Sequence, residues 1–414
     1  MRALVGTLVS EAISLLGTRI TMIAIPLYVL ATTGSAAKTG VVAFAEALPL
    51  VVGKVLVGPV IDRLGARPVA IACDLGSAVV VGAIPVLHDT DRLPFPVFVA
   101  LVALAGALRG PGDAAKSAII PSVVRHAAIP MERATGLFGT IERTASMVGA
   151  ALGGLLIASA GAANALLIDA ASFAVSAVVF GWATTALRVS PESSTASSSS
   201  YVADLREGFA FLRTDRVLVG ITAMVALTNL LDASWSTVLV PVWAVDSGGG
   251  ARVIGLLFAT FGAAAALGAL VASVWAQRLP RYAVYLVAFL VAGAPRFIAM
   301  ALDVPLIALL LVAVGAGFAS GFINPVLGAV IYERIPEPLM GRVSSLTTAI
   351  CWSLMPLGGL LGGLLASRLG ISWALAAVGA AYFLVTMLPA LDPRWREMDD
   401  RQPLAAGAPA VSSP

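Results

Sequence analysis

Gly58-Pro59-Val60-Ile61-Asp62-Arg63-Leu64-Gly65-Ala66-Arg67-Pro68 is a charged, glycine-bearing turn between two long apolar runs, Val41 to Val60 and Val69 to Leu87. Each run is long enough to cross a bilayer, which takes about 20 apolar residues at roughly 1.5 Å rise per residue. Joined by so short a connection, the two spans must be antiparallel neighbours. The turn must lie on a membrane face that accepts arginine.

The rest of the chain repeats this alternation. Of 414 residues, 59% are hydrophobic and 12% charged, about half the charge of an ordinary soluble domain. Apolar runs recur along nearly the whole length, so the chain reads as a polytopic helical membrane protein. The alternating segments of a β-barrel are absent. A net charge of +3 comes from arginines at the ends of apolar runs, with no basic patch interleaved with aromatics, so nucleic acid is not an expected partner. Cys73 and Cys351 fall inside predicted spans, far apart and without metal-ligand spacing. They read as small core residues, and neither a metal nor another cofactor is expected. No nucleophile–base set or phosphate loop is visible, which argues against an enzyme.

Twelve helices are expected, over residues about 4–31, 38–61, 68–88, 95–120, 134–159, 162–187, 216–244, 252–275, 282–302, 304–332, 343–367 and 371–390. The N-terminus reads as the first span, retained rather than cleaved. Residues 1–190 form one six-helix bundle and 216–391 a second. Between them, 191–215 comprise a serine-rich linker and an amphipathic segment, Tyr201 to Arg213, expected to lie on the membrane surface. Residues 392–414 read as a disordered tail. The side carrying the opening turn collects Arg63, Arg67, Arg125, Arg133, Arg206, Arg213, Arg278, Arg281, Arg334, Arg342 and Arg394, among others. The opposite side has Lys38, Arg92, Arg252 and Arg368. That bias places the opening turn and both termini in the cytoplasm.

The second half repeats the first in the same orientation. Pro26 and Pro241, Gly40 and Gly255, Gly53 and Gly268, and Arg63 and Arg278 share an offset of 215 residues. A decayed copy of the opening turn therefore stands at Gln277-Arg278-Leu279-Pro280-Arg281. Gly149-x-x-x-Gly153-Gly154 recurs as Gly358-x-x-x-Gly362-Gly363. Six-span repeats of equal orientation are related by a pseudo-two-fold axis along the membrane normal, the architecture of a transporter whose site lies between the halves near the midplane. The glycines allow close helix approach.

Gly58-x-x-x-Asp62-Arg63-x-Gly65-x-Arg67 resembles the loop between helices 2 and 3 of the major facilitator superfamily. Ala72-Cys73-Asp74-Leu75, Ile168-Asp169-Ala170-Ala171-Ser172-Phe173 and Asp204-Leu205-Arg206-Glu207-Gly208-Phe209 resemble its bacterial drug- and siderophore-exporter branch. The resemblance implies a rocker-switch multidrug-efflux transporter of the bacterial inner membrane, monomeric, working as a proton-coupled antiporter on an amphipathic small molecule. One stretch departs from the pattern. Helix 5 reads Gly149-Ala150-Ala151-Leu152-Gly153-Gly154 where the antiporter signature carries Gly-Pro. A metabolite importer or facilitator, or a non-transporting sensor or lipid-handling protein, remains compatible with the same fold.

Charges at bilayer depth cost about 2.5–3.5 kcal/mol each, so every one needs a partner or a task. The candidates are Glu11 and Arg19 on helix 1, Glu46 on helix 2, Arg109 and Asp113 on helix 4, Asn229, Asp232 and Trp235 on helix 7, and Asn324 on helix 10. The resemblance implies that helices 1, 4, 7 and 10 line the cavity. Asp232 has no basic neighbour on its own helix and is the favoured protonatable site. Arg109 and Asp113, one turn apart, could pair. The resemblance further implies that Gly58, Asp62, Arg63, Gly65 and Arg67 form a gating loop, with Asp62 facing the start of helix 11 and the arginines pairing with carboxylates on neighbouring helices.

Overall fold

The computed structural model describes residues 1–185, 187, 201–275, 278–336 and 339–400. The serine run 191–200, residue 277 of the decayed turn and the tail beyond 400 lie outside these. Eleven helices among the described residues are long and apolar enough to cross a membrane, and a twelfth, Ile371–Met387, is apolar but shorter. In chain order the spans are Arg2–Thr33, Ala36–Leu56, Ala66–Asp89, Phe95–Ala127, Met131–Ala160, Ala162–Ala183, Arg216–Asp246, Gly250–Trp275, Arg281–Ala301, Leu306–Arg334, Met340–Leu369 and Ile371–Met387. They are called spans 1 to 12 below.

Several boundaries move for reasons the chemistry makes plain. Span 4 runs on through Pro121 to Ala127, since membrane helices tolerate an internal proline. Span 2 stops at Leu56, and Gly58–Leu64 forms a separate short helix ended by Gly65 at φ 87, a conformation that favours glycine. In span 7 a five-residue π-helical turn, Trp235–Leu239, precedes Pro241. The Val240 amide bonds the Trp235 carbonyl, five residues back. A proline lacks the amide and crowds the carbonyl one turn earlier, so the wider turn absorbs the conflict. Span 9 breaks at Gly293 just before Pro295, and span 11 at Leu354 just before Pro356.

Within the first half, span 1 packs on spans 5 and 6, and span 4 on spans 2 and 3. Within the second, span 10 packs on spans 8 and 9, and span 12 on spans 9 and 11. The two main interfaces between halves are span 2 with span 11 and span 5 with span 8. Under the repeat, span 2 corresponds to span 8 and span 11 to span 5, so each interface is the symmetry mate of the other. The glycine triplets obey the same rule. A Cβ on Gly149 would lie 2.7 Å from Arg19 Cβ, and one on Gly153 3.1 Å from Ile20 Cα, both on span 1. Gly154 instead faces Gly255 of the other half, at 2.8 Å. In the copy, Gly358 and Gly362 pack on span 7, while Gly363 faces Gly40 of the other half at 3.1 Å.

All these inter-half glycine contacts lie at the end of the bundle away from the Gly58–Pro68 turn. At the turn end, Cβ atoms on Gly136, Gly139, Gly328 and Gly341 would meet nothing within 4 Å. The molecule is therefore closed at the far end and open at the turn end.

Two peripheral segments differ from the sequence expectation. The amphipathic helix Tyr201–Leu212 does not simply rest on a membrane surface. Its Leu212 is buried with Leu218, Ile335 and Val343, and Glu207 pairs with Arg342. The tail expected to be disordered from 392 begins with an ordered 3-10 turn, Pro393–Asp399. Trp395 is 5% exposed there, stacked near Tyr285 at 5.1 Å between ring centroids. The turn is held by Arg334 bonded to the Glu397 carbonyl and by the Tyr282 amide bonded to Asp399.

Candidate functional site

Span 1 delivers Arg19, span 7 Trp235 and Ser236, and span 10 Asn324 to a cavity of about 470 Å³ between the halves. Span 5 adds Glu142 and Arg143, and span 8 adds Phe258 and Phe261. Three of the residues singled out from sequence, Arg19, Trp235 and Asn324, thus meet on one wall system although they come from three helices.

An adjoining cavity of about 260 Å³ in the second half shares Phe261 and Asn324 and is lined by Asn229, Asp232, Ser320 and Tyr382. Here the structure corrects the sequence reading of Asp232. No basic neighbour stands beside it on its own helix, but Arg296 of span 9 reaches across and forms an ion pair with it. The Asp232 side chain remains 41% exposed while that of Arg296 is 9% exposed. The guanidinium carbon lies 4.5 Å from the Trp235 ring centroid, 4.9 Å from Phe297, 5.4 Å from Tyr382 and 5.8 Å from Phe261. Cation–π contacts contribute about 0.5–2 kcal/mol each according to desolvation, so Arg296 is fixed and Asp232 is the member of the pair that faces water. The break at Gly293 and Pro295 sets Arg296 at the start of a fresh helical segment. Asn229 donates to the Cys351 carbonyl at 2.9 Å, tying span 7 to span 11.

Glu46 and Arg109 do not reach the central cavity. They line a narrow cleft inside the first half with Thr21 and Asp169. Thr21 and Ser172 donate to the Asp169 carboxylate. The close approach needs Gly17, whose added Cβ would fall 2.2 Å from Asp169 Oδ1.

The Arg109–Asp113 pairing does not form. Lys116 of span 4 pairs instead with Asp74 of span 3, at 2.8 Å, both side chains 6% exposed. Ser176 donates to Asp74, and Lys116 donates to Ser14 and Ser176. Glu11 lies in the field of Lys116, Asp113 and Asp74 rather than on the cavity wall.

In the gating loop, Asp62 and Arg63 are exposed and form no ion pair among the described residues. Arg67 does not meet a carboxylate. It donates from Nε to Thr184 Oγ1 at 3.1 Å and from Nη2 to the Gly181 carbonyl at 2.9 Å, fastening the loop to the end of span 6. The second half makes carboxylate ties at the corresponding end instead. Arg281 forks onto Glu333 at 2.7 and 2.6 Å, and Arg334 meets Asp215 at 2.9 Å.

Asp74, Asp169 and Arg296 were missed as functional candidates. All three are charged residues inside apolar runs, the signal that marked the others. Among the described residues no cluster of three metal-ligating side chains occurs.

Similar proteins share this architecture. The family model of the Major Facilitator Superfamily matches residues 7–243 and again 222–406. The multidrug efflux pump Tap of Mycolicibacterium fortuitum is 29% identical over 92% of this chain and 94% of its own length. Macrolide efflux protein A of Streptococcus pyogenes is 23% identical over 94% and 95%. Among solved structures, the nucleoside transporter NupG has a TM-score of 0.75 at 13% identity, covering 97% of this chain and 100% of that one. A bacterial homologue of the iron transporter ferroportin, in its inward-facing state, scores 0.69 at 15% identity, covering 95% and 98%. Matched by the family model in both halves and built as two six-helix bundles around a central cavity, this chain belongs to the Major Facilitator Superfamily.

Proposed function

We propose that this protein exports amphipathic small molecules across a bacterial inner membrane by alternating access, in exchange for protons. The observation that carries the reading is the central cavity, where Arg19, Glu142 and Arg143 of one half face Trp235, Phe258 and Phe261 of the other. Charged groups on one side and aromatic faces on the other suit a solute that is part polar and part apolar. Relatives named as a multidrug efflux pump and a macrolide efflux protein support the direction of transport.

The arginine bias puts the turn end and both termini in the cytoplasm, which makes this the cytoplasm-open state. Asp62 and Arg63 then stand idle because the latch they build belongs to the opposite state. There they would hold the cytoplasmic ends together, with Asp62 near the positive end of the span 11 dipole. Proton exchange is assigned to Asp232, whose carboxylate faces the cavity. Protonating it removes the charge that holds Arg296, so proton uptake and rearrangement of the span 7–span 9 contact are one event. The protein acts as a monomer, with a substrate and the bilayer as its partners and the proton gradient as its energy source.

The test is accumulation of a fluorescent amphiphile in inverted membrane vesicles. Accumulation should require a proton gradient and should be lost in Asp232→Asn at normal protein levels. Full activity of that variant, or indifference to collapse of the gradient, refutes the proposal.

A further inference from the structure

Arg19 stands on the wall of the central cavity without an acceptor of its own. Its Nε is buried and bonds to nothing, and Nη1 meets only the Met22 sulfur at 3.3 Å. Among the described residues no carboxylate forms an ion pair with it. Among the other cations deep in the spans, Lys116 has Asp74 and Arg296 has Asp232. Arg109, like Arg19, forms no ion pair among the described residues, but it stands in the field of two carboxylates, Glu46 and Asp169, where Arg19 has only that of Glu142.

The charge on the cavity wall is lopsided in the same sense. Arg19 and Arg143 oppose the single carboxylate of Glu142, leaving one net positive charge, and the adjoining Asp232–Arg296 pair is neutral. While the cavity is open, water can serve the donors of Arg19. When the halves close and water leaves, an unmatched guanidinium at bilayer depth becomes costly.

We infer that the substrate brings the missing acceptor. It is an amphiphile with an acidic group, such as a carboxylate, sulfonate or enolate, and travels as an anion or a zwitterion. The acid docks on the Arg19 fork, which matches planar oxyanions in two-point geometry. The apolar body lies against Trp235, Phe258 and Phe261. An amphiphile lacking the acid leaves Arg19 unmatched on closure and is carried less well. This inference rests on the export reading above and narrows it to a chemical class.

The experiment uses the full-length protein in nanodiscs and three dansyl probes of like size: dansylglycine, its methyl ester and the cation dansylcadaverine. Binding is read from dansyl fluorescence against protein-free nanodiscs. A hydrogen-bonded charge supports a preference of about tenfold or more. Dansylglycine should therefore bind at least about tenfold tighter than the other two. Arg19→Gln should erase that preference and Arg19→Lys should keep part of it. Should Arg19→Gln fail to fold, Arg143→Gln at the exposed cavity mouth should lower the preference by a smaller factor.

Equal affinities in the native protein, a preference for dansylcadaverine, no saturable binding of dansylglycine, a preference that survives in Arg19→Gln, or one that Arg143→Gln leaves undiminished overturns the inference. Uptake of the same probes into inverted vesicles separates the two claims. If all three are pumped alike, export stands and the acid-group inference falls. Acid-selective binding without pumping removes the export reading and leaves the site chemistry standing.

Discussion

Gly154→Ala should push the protein out of the state seen here. Span 5 meets span 8 at the far end through Gly154 and Gly255. A Cβ on Gly154 would lie 2.7 Å from the Ala251 carbonyl oxygen and 2.8 Å from Gly255 Cα. Both obstacles are backbone, so no rotamer change relieves the clash and the helices must separate. Overpacking of this kind costs about 1–3 kcal/mol. The cost applies only where the far end is shut, so the ratio of far-end-open to far-end-closed molecules should rise about 5- to 150-fold. Spin labels at Ser159 and Arg252, both exposed at the far ends of spans 5 and 8, would report it by electron–electron distance measurement, with Cys73 and Cys351 replaced by Ala. A longer-distance population should grow in the variant, and Gly40→Ala in the symmetry-related interface should do the same. A distance distribution unchanged by Gly154→Ala, in folded protein, refutes the account of what closes the far end.

Other perturbations follow from the same contacts. Asp62→Asn should slow export about tenfold, the value of one charge-assisted hydrogen bond, while leaving the melting temperature and ligand affinity of the turn-end-open state unchanged. Gln277→Ala in the decayed copy should have a smaller effect on vesicle transport. Lys116→Met should destabilise the first half by about 3–5 kcal/mol by stranding buried Asp74, seen as a lowered melting temperature in detergent. The double change Lys116→Met with Asp74→Leu should recover most of it, since an apolar pair of similar volume strands no charge.

What was legible in the sequence had a local or periodic cause. The twelve spans follow from apolar run length, and the repeat from glycines and prolines at a constant offset. The glycine triplets even carried their structural roles, because only close backbone approach explains them. Arg19, Trp235 and Asn324 line the central cavity because the faces of spans 1, 7 and 10 that carry them turn toward the other half.

What was not legible depended on which helix faces which. Asp232 and Arg296 are 64 residues apart, and a stripe on one helix does not say what another helix brings to it. The same holds for Lys116, which shares a stripe with Asp113 yet pairs with Asp74 on span 3. Arg67 found a hydroxyl and a carbonyl at the end of span 6 rather than a carboxylate. Trp395 lies in a polar stretch of sequence, and nothing local points to Tyr285 and Gly220, on which it packs.

The most direct test of the central claim couples substrate movement to protons in one trace. Inverted vesicles holding the protein are acidified inside and followed with a pH-sensitive acridine dye. Addition of an exported amphiphile should release part of the quench as protons leave in exchange, and Asp232→Asn vesicles should show neither the release nor accumulation of the amphiphile. Amphiphile accumulation with no change in the dye signal, or an unchanged exchange in Asp232→Asn, would contradict the account.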